Sequence, residues 1–417
     1  MVHLEEPDNR LVHASGQESG CGAEIQMKTY DLAVVGTGLA GAVAAMTAAE
    51  AGLETLVLEK GHGPKERKNL VCGWMGRALY TMSRIDVGQD GFANDAAFDA
   101  ALDFCREANG GKLEQYQAWE SPSEGLPLRA LGAMHYKTDP GCGCELARQL
   151  YQRLVSTGKA DILFGTEVER LEHSGECFVL HTSRGRLEAR TCLLATGGYS
   201  AEWILDICAS FGLSIQDSNT RLGLRVEVPA RLLRAFLQVA GDLRLEAEGV
   251  LLDDMRQNSL VADRDDKGLL SAFAYTTVGR HSERTSFLAS FDAGNDFTEA
   301  ARLVRIVNIL ANDKVKRERA VDFSKGHSVL AHLEQFDPLR KALLDLDRMV
   351  PSFLGCATVH IPEFRASGVL PVDPNMRTAF AGLYGAGRCA SRVVSPLGTM
   401  ASAMVAVHSI LEERENG

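Results

Sequence analysis

The stretch Asp31-Leu-Ala-Val-Val-Gly-Thr-Gly-Leu-Ala-Gly41 constrains this chain more than any other, because an apolar run stops at glycines and restarts as the alanine-rich helical stretch Ala42 to Ala51. A second apolar run, Thr55 to Leu58, ends at Glu59 and Lys60. Strand, glycine turn, helix and second strand make a βαβ unit of the dinucleotide-binding kind. In such a unit Gly36 permits the tight turn and Gly38 lets the backbone approach a pyrophosphate. Gly41 lets the helix that opens at Leu39 and Ala40 pack against the strand, so the phosphates meet the exposed N–H groups and positive pole of that helix. Glu59, with Lys60 beside it, stands where a carboxylate accepts hydrogen bonds from ribose hydroxyls.

A chain of 417 residues exceeds one small core, which makes two domains the natural expectation. A net charge of -11 argues against a nucleic-acid partner, whose phosphates call for clustered Lys and Arg. No apolar run is long enough to span a bilayer, and the first thirty or so residues lack the apolar core of a secretory signal, so no membrane partner and a cytoplasmic location are expected. Ten scattered cysteines suit reduced thiols better than a disulfide framework. Cys142 and Cys144 have no second Cys or His pair at metal-ligand spacing and read as small residues near a helix start, so no metal is expected.

Residues 1–27 are polar and without periodicity, and read as a mobile tail. Helical spacing runs over Ala96 to Ala108 and Gly143 to Val155. Strands are expected at Asp161 to Phe164, Cys177 to Thr182 and Thr191 to Leu194, the last delivering a second glycine signal, Leu194-Ala-Thr-Gly-Gly198. Beyond Tyr199 the pattern is mixed. Helices are expected at Leu232 to Val239 and Ala300 to Leu310, strands at Gly249 to Leu252 and Leu269 to Tyr275, and solvated surface at Asn258 to Lys267 and Lys314 to Arg319. Glycines return in Phe380-Ala-Gly-Leu-Tyr-Gly-Ala-Gly387 and Ser395-Pro-Leu-Gly-Thr-Met400, before an alanine-rich helix to Leu411 that presents its N-terminus to a ligand.

Together the three glycine segments resemble the two-dinucleotide-domain flavoproteins of the glutathione reductase superfamily, in which an Ala-Thr-Gly-Gly strand end and a late Gly-Leu-Tyr-x-Ala-Gly segment complete an FAD site. Ala195-Thr-Gly-Gly-Tyr-Ser-Ala-Glu-Trp203 with Leu222-Gly-Leu-Arg-Val-Glu-Val-Pro229 looks like the FAD-dependent dehydrogenases related to the BaiN-like flavoproteins. The resemblance covers roughly residues 28–82, 134–230 and 350–412. It implies an α/β fold with a Rossmann-like FAD-binding domain built from both ends of the chain, 28–198 and 363–417, and an inserted α+β substrate domain, 199–362. It places FAD on Gly36, Gly38 and Gly41, with Glu59 on the adenosine ribose, Val168 on the adenine and Ala195, Thr196 and Gly197 beside the cofactor. Gly387, Gly398, Thr399 and Met400 would flank the ribityl chain and flavin ring. Arg388 stands where the superfamily commonly carries an acidic residue. A helix start at Gly398 would suit the ring edge where negative charge accumulates on reduction. Cys72 and Trp74 fall where related flavoproteins place the flavin's face.

The flavin carries the redox chemistry, leaving the protein to supply binding, a base and a cation for the substrate. Arg280 and His281, in a short polar stretch after an expected strand, are the first candidates for cation and base, and His360 is the second base candidate. No second complete G-x-G-x-x-G unit follows Gly198, so the electron donor or acceptor meets the flavin directly and stays unidentified. The expected activity is hydride transfer between a small organic molecule and the flavin. An FAD monooxygenase and a non-catalytic flavin-binding protein are the alternatives, and a homodimer stays open.

Overall fold

The computed structural model describes residues 28–61, 84–86, 90–117, 128–130, 134–139, 142–198, 200–215, 219–234, 244–266, 268–276, 283–294, 296–328, 330, 333–393 and 395–416. Residues 1–27, Cys72, Trp74, Arg280 and His281 therefore lie outside the described residues.

The glycine-bearing unit forms as its pattern predicts. Thr29–Val35 is almost continuously buried, the first helix is Leu39–Glu50, and Thr55–Glu59 is buried throughout. Such runs need cover on both faces, which a parallel sheet sandwiched between layers provides. The sheet order is Ala160–Phe164, Thr55–Glu59, Thr29–Val35, Gly185–Leu194, Cys177–Thr182, Val168–Ser174, with Leu383–Gly385 also paired to Gly185–Leu194. Pairing is parallel along the first four and to Leu383–Gly385, and antiparallel in the remaining meander. The chain thus returns more than 180 residues later to complete the sheet it began. This is the α/β, Rossmann-like fold expected.

The first helix packs against Cys142–Ser156 and the long C-terminal helix Pro396–Asn416, which in turn packs on Asp95–Ala108. A second sheet is antiparallel, in the order Lys316–Arg319, Thr358–Ser367, Asn219–Pro229, Arg284–Asp292, Val250–Gln257, Leu245–Ala247, Arg129–Ala130. Arg129–Ala130 comes from before residue 198, and Thr358–Ser367 runs through residue 362 into the last segment. The described residues also form a three-stranded sheet, Arg84–Asp86, Met134–Lys137 and Glu114–Gln117.

The polar stretch Asn258 to Lys267, expected as solvated surface, contains the strand Ser259–Asp266, paired over its length with Leu269–Thr276. Its charges reflect a strand with one wet face, and the hairpin partner supplies the order that composition does not show. Helical backbone covers 230–234, and the rest of the expected Leu232 to Val239 helix lies outside the described residues. The basic stretch near Lys314 contains the edge strand Lys316–Arg319, whose side chains alternate between half-buried and exposed.

Across the second sheet runs a buried ionic cluster. Arg225, with no exposed surface, donates from Nε and Nη2 to the Glu363 carboxylate at 2.6 Å each and from Nη2 to Asp254 at 2.8 Å. Arg365 also donates to Asp254 and Glu363, and Arg256 pairs with Asp254 at 2.6 Å. Burial works to raise the Asp254 pKa, but Arg256, Arg365 and Arg225 override it and hold the carboxyl well below its usual value.

Candidate functional site

The first turn of the Leu39–Glu50 helix is built to leave its backbone bare. Gly36 adopts φ +98°, and a Cβ there would stand 2.7 Å from the Ala195 carbonyl oxygen. A Cβ on Gly41 would overlap the Gly36 carbonyl oxygen, so the helix can lie on the turn only without one. Gly38, at the N-cap, has ordinary φ and nothing closer to its Cβ position than Ala195 O at 4.0 Å. The helix has no side-chain cap and no acid in its first turn. By contrast Asn94 caps Asp95–Ala108 and Asp296 caps Phe297–Leu310 with their own side chains. An uncapped, open helix pole is what an anionic pyrophosphate requires.

The other two segments close on this one. Ala195 N–H donates to Val35 O at 2.9 Å, and the Ala195 carbonyl faces Gly36. Gly387, at φ +71°, lies so close to the first helix that a Cβ would come within 2.7 Å of Ala40 Cβ. Its N–H is held by Ser402 Oγ at 3.0 Å, and Ala386 N–H donates to Leu194 O at 2.9 Å. Gly36, Gly38, Leu39, Ala40, Gly41, Ala195, Thr196, Gly197 and Gly387 are thereby brought to one place.

Glu59 ends the second strand and is buried. Its Oε2 accepts from Thr37 N at 2.9 Å and Thr37 Oγ1 at 2.6 Å, and its Oε1 accepts from Gly61 N at 2.8 Å. A carboxylate offers about four acceptor positions, so three are committed to the loop and about one is left for a ribose hydroxyl. Lys60 is exposed. Val168 is buried at the start of its strand, opposite Thr182. Neither Thr37 nor Gly61 stood out in the sequence, although a threonine between the two motif glycines is positioned to donate twice.

The late loop joins both sheets. Gly368 N–H donates to Arg388 O at 3.0 Å and Leu370 N–H to Cys389 O at 2.8 Å. A Cβ on Gly198 would overlap the Ala366 carbonyl oxygen, and Arg388 lies beside the same glycine with its side chain exposed. A small cavity near this junction is lined by Gly198, Ser271, Phe297 and Phe364 among others. Thr399 and Met400 are buried in the C-terminal helix, Met400 Sδ receiving the Cys105 thiol at 3.9 Å, so Met400 points into the helix packing.

His360 lies on the same strand as Ala366 but six residues earlier, about 20 Å away at the rise of an extended strand. Its Nε2 faces Glu227 Oε2 at 3.3 Å, and Glu227 also receives Arg284 Nε at 2.7 Å. The structure therefore does not bring His360 to the glycine segments. The hydrogen bond from His360, together with the Arg284 charge, holds the Glu227 carboxyl below its usual pKa.

Among the described residues no group of His, Cys, Asp and Glu has metal-site geometry, and no helix is long and apolar enough to cross a membrane. A family profile described as FAD binding domain matches residues 31–240. No curated protein matches the chain. Among solved structures, glycine oxidase from Geobacillus kaustophilus is 17% identical, covering 93% of this chain and 95% of its own, with a TM-score of 0.47. Glycine oxidase from Bacillus cereus ATCC 14579 is 15% identical over 93% and 96%, TM-score 0.47. The p-nitrophenol 4-monooxygenase PnpA from Pseudomonas putida DLL-E4 is 13% identical over 94% and 82%, TM-score 0.46.

Proposed function

The chain belongs to the FAD binding domain family, and on that footing we propose that it transfers a hydride between a small organic substrate and the flavin, by dehydrogenation or by reduction of an activated double bond. FAD is its cofactor, and FAD-dependent oxidoreductase is its class. The observation that carries the reading is the convergence on one uncapped helix pole of Gly36 to Gly41, Ala195 to Gly197 and Gly387. Bound there, FAD supplies the acceptor and donor of the hydride. The chain's own residues bind and orient it: the bare N–H groups after Gly38 take the pyrophosphate, and Glu59 holds Thr37 while keeping an acceptor for the ribose.

Likeness of Ala195 to Trp203 and Leu222 to Pro229 to the BaiN-related flavoproteins of the glutathione reductase superfamily supports a dehydrogenase or reductase. Arg388 supports the same choice, because single-component aromatic hydroxylases usually carry Asp after the last glycine. Arg280 and His281 remain the proposed substrate cation and base. The test is the visible spectrum of the purified protein and its turnover with artificial electron acceptors. We expect a yellow protein releasing FAD in about one-to-one amount on denaturation. A colourless protein that fails to take up added FAD overturns the reading.

A further inference from the structure

The C-terminal helix differs from the first helix at its N-terminus. Its first turn contains no acid of its own, yet a carboxylate from more than 300 residues earlier sits on it. Asp90 Oδ2 accepts the Ser395 hydroxyl at 2.6 Å and Oδ1 accepts Ser395 N at 3.1 Å. Ser395 Oγ in turn accepts Gly398 N at 2.8 Å. A Cβ on Gly398 would overlap the Asp90 carboxyl group, so that glycine and that carboxylate occupy adjoining space. The contact is clasped on either side. Gly91 N–H donates to Arg392 O at 2.7 Å, Arg392 Nη1 donates to Gly91 O at 2.9 Å, and Phe92 stacks on Phe98 of the helix packed against Pro396–Asn416.

A helix N-terminus stabilises one nearby anion, and an anion already there opposes a second. Two helix poles serve the cofactor in the functional reading above: the first is bare for the pyrophosphate, and the second is already engaged by Asp90. We infer that Asp90 is a positioning residue that sets the flavin's electron affinity. It holds a fixed negative charge at the helix pole facing the ring, disfavours the negative charge gained on reduction, and biases bound FAD toward giving up its hydride. The inference rests on that reading and narrows it to the reductive direction.

The experiment compares wild type with Asp90→Asn, which keeps an acceptor for Ser395 but removes the charge, and with Asp90→Ala. FAD affinity, the midpoint potential of bound FAD and the affinity for sulfite are measured for each holoprotein. Both variants should hold reduced relative to oxidised FAD at least about tenfold more tightly, a rise of about 30 mV for a two-electron couple, and bind sulfite correspondingly more tightly. FAD-loaded variants with unchanged potential and sulfite affinity overturn the inference, leaving Asp90 as a clasp whose loss lowers only the melting temperature. A wild-type protein that binds no FAD overturns the functional reading itself, and this inference with it.

Discussion

Glu59 and Thr37 are joined twice: one carboxylate oxygen receives both the N–H and the hydroxyl of the residue between the two motif glycines, at 2.9 and 2.6 Å. The acidic end of the second strand is thus a buried brace for the phosphate-facing loop as well as the proposed ribose ligand. Glu59→Gln keeps the shape but turns one oxygen into a donor, which cannot face the N–H groups of both Thr37 and Gly61. FAD binding should weaken by about 1–3 kcal/mol, the range for hydrogen bonds to a charged group. Apo-protein stability should fall as well. A titration with unchanged FAD affinity would remove Glu59 from the site.

Two glycines of the same motif should respond differently. At Gly38 the Cβ position is open, so Gly38→Val should leave the apo protein folded while abolishing FAD binding, since the branch occupies the phosphate's approach. At Gly41 a Cβ overlaps the Gly36 carbonyl, so Gly41→Ala should lower the melting temperature of the apo protein itself. Equal melting temperatures for Gly41→Ala and wild type would contradict this packing.

Asp254 should make stability depend on acid. Its folded pKa is depressed, so its contribution is fully present above the unfolded value of about 3.9 and is lost as pH falls below it through the folded pKa. Asp254 also has φ +50°, a conformation asparagine tolerates, so Asp254→Asn tests charge without imposing backbone strain. The variant should lose up to about 3 kcal/mol near pH 7, with the gap to wild type closing as pH drops below about 4. Denaturant melts across that range provide the measurement, and a gap independent of pH would refute the charge pairing.

For the substrate wall, Arg280→Ala should lower kcat/KM by roughly tenfold or more with the flavin spectrum intact. His281→Ala should slow flavin reduction by about 10²–10⁴-fold and remove a pH limb near neutrality. Single-turnover reduction near wild type in both would place these residues outside the site.

His360→Ala should affect stability more than redox chemistry, because its imidazole is buried against Glu227 far along the strand from Ala366. A loss of flavin reduction as large as that expected for His281→Ala would reverse that assignment.

The sequence alone determined the first βαβ unit, the FAD expectation and the return of the chain's end to the first sheet. Those features depend on local geometry: only glycine adopts φ +98° at residue 36 or tolerates the overlap at residue 41, and a buried parallel strand must be apolar on both faces. Tertiary structure decided what lay between residues distant in sequence. It fixed the three donors on Glu59, the approach of Gly387 to Ala40, the carboxylate of Asp90 on the helix at Gly398, and the placing of His360 away from the glycine segments. Local pattern records which backbone a segment adopts and which face it buries. Which distant charge meets a helix pole depends on chain crossings that leave no period in the sequence, because each is set by one pair of residues brought together by packing.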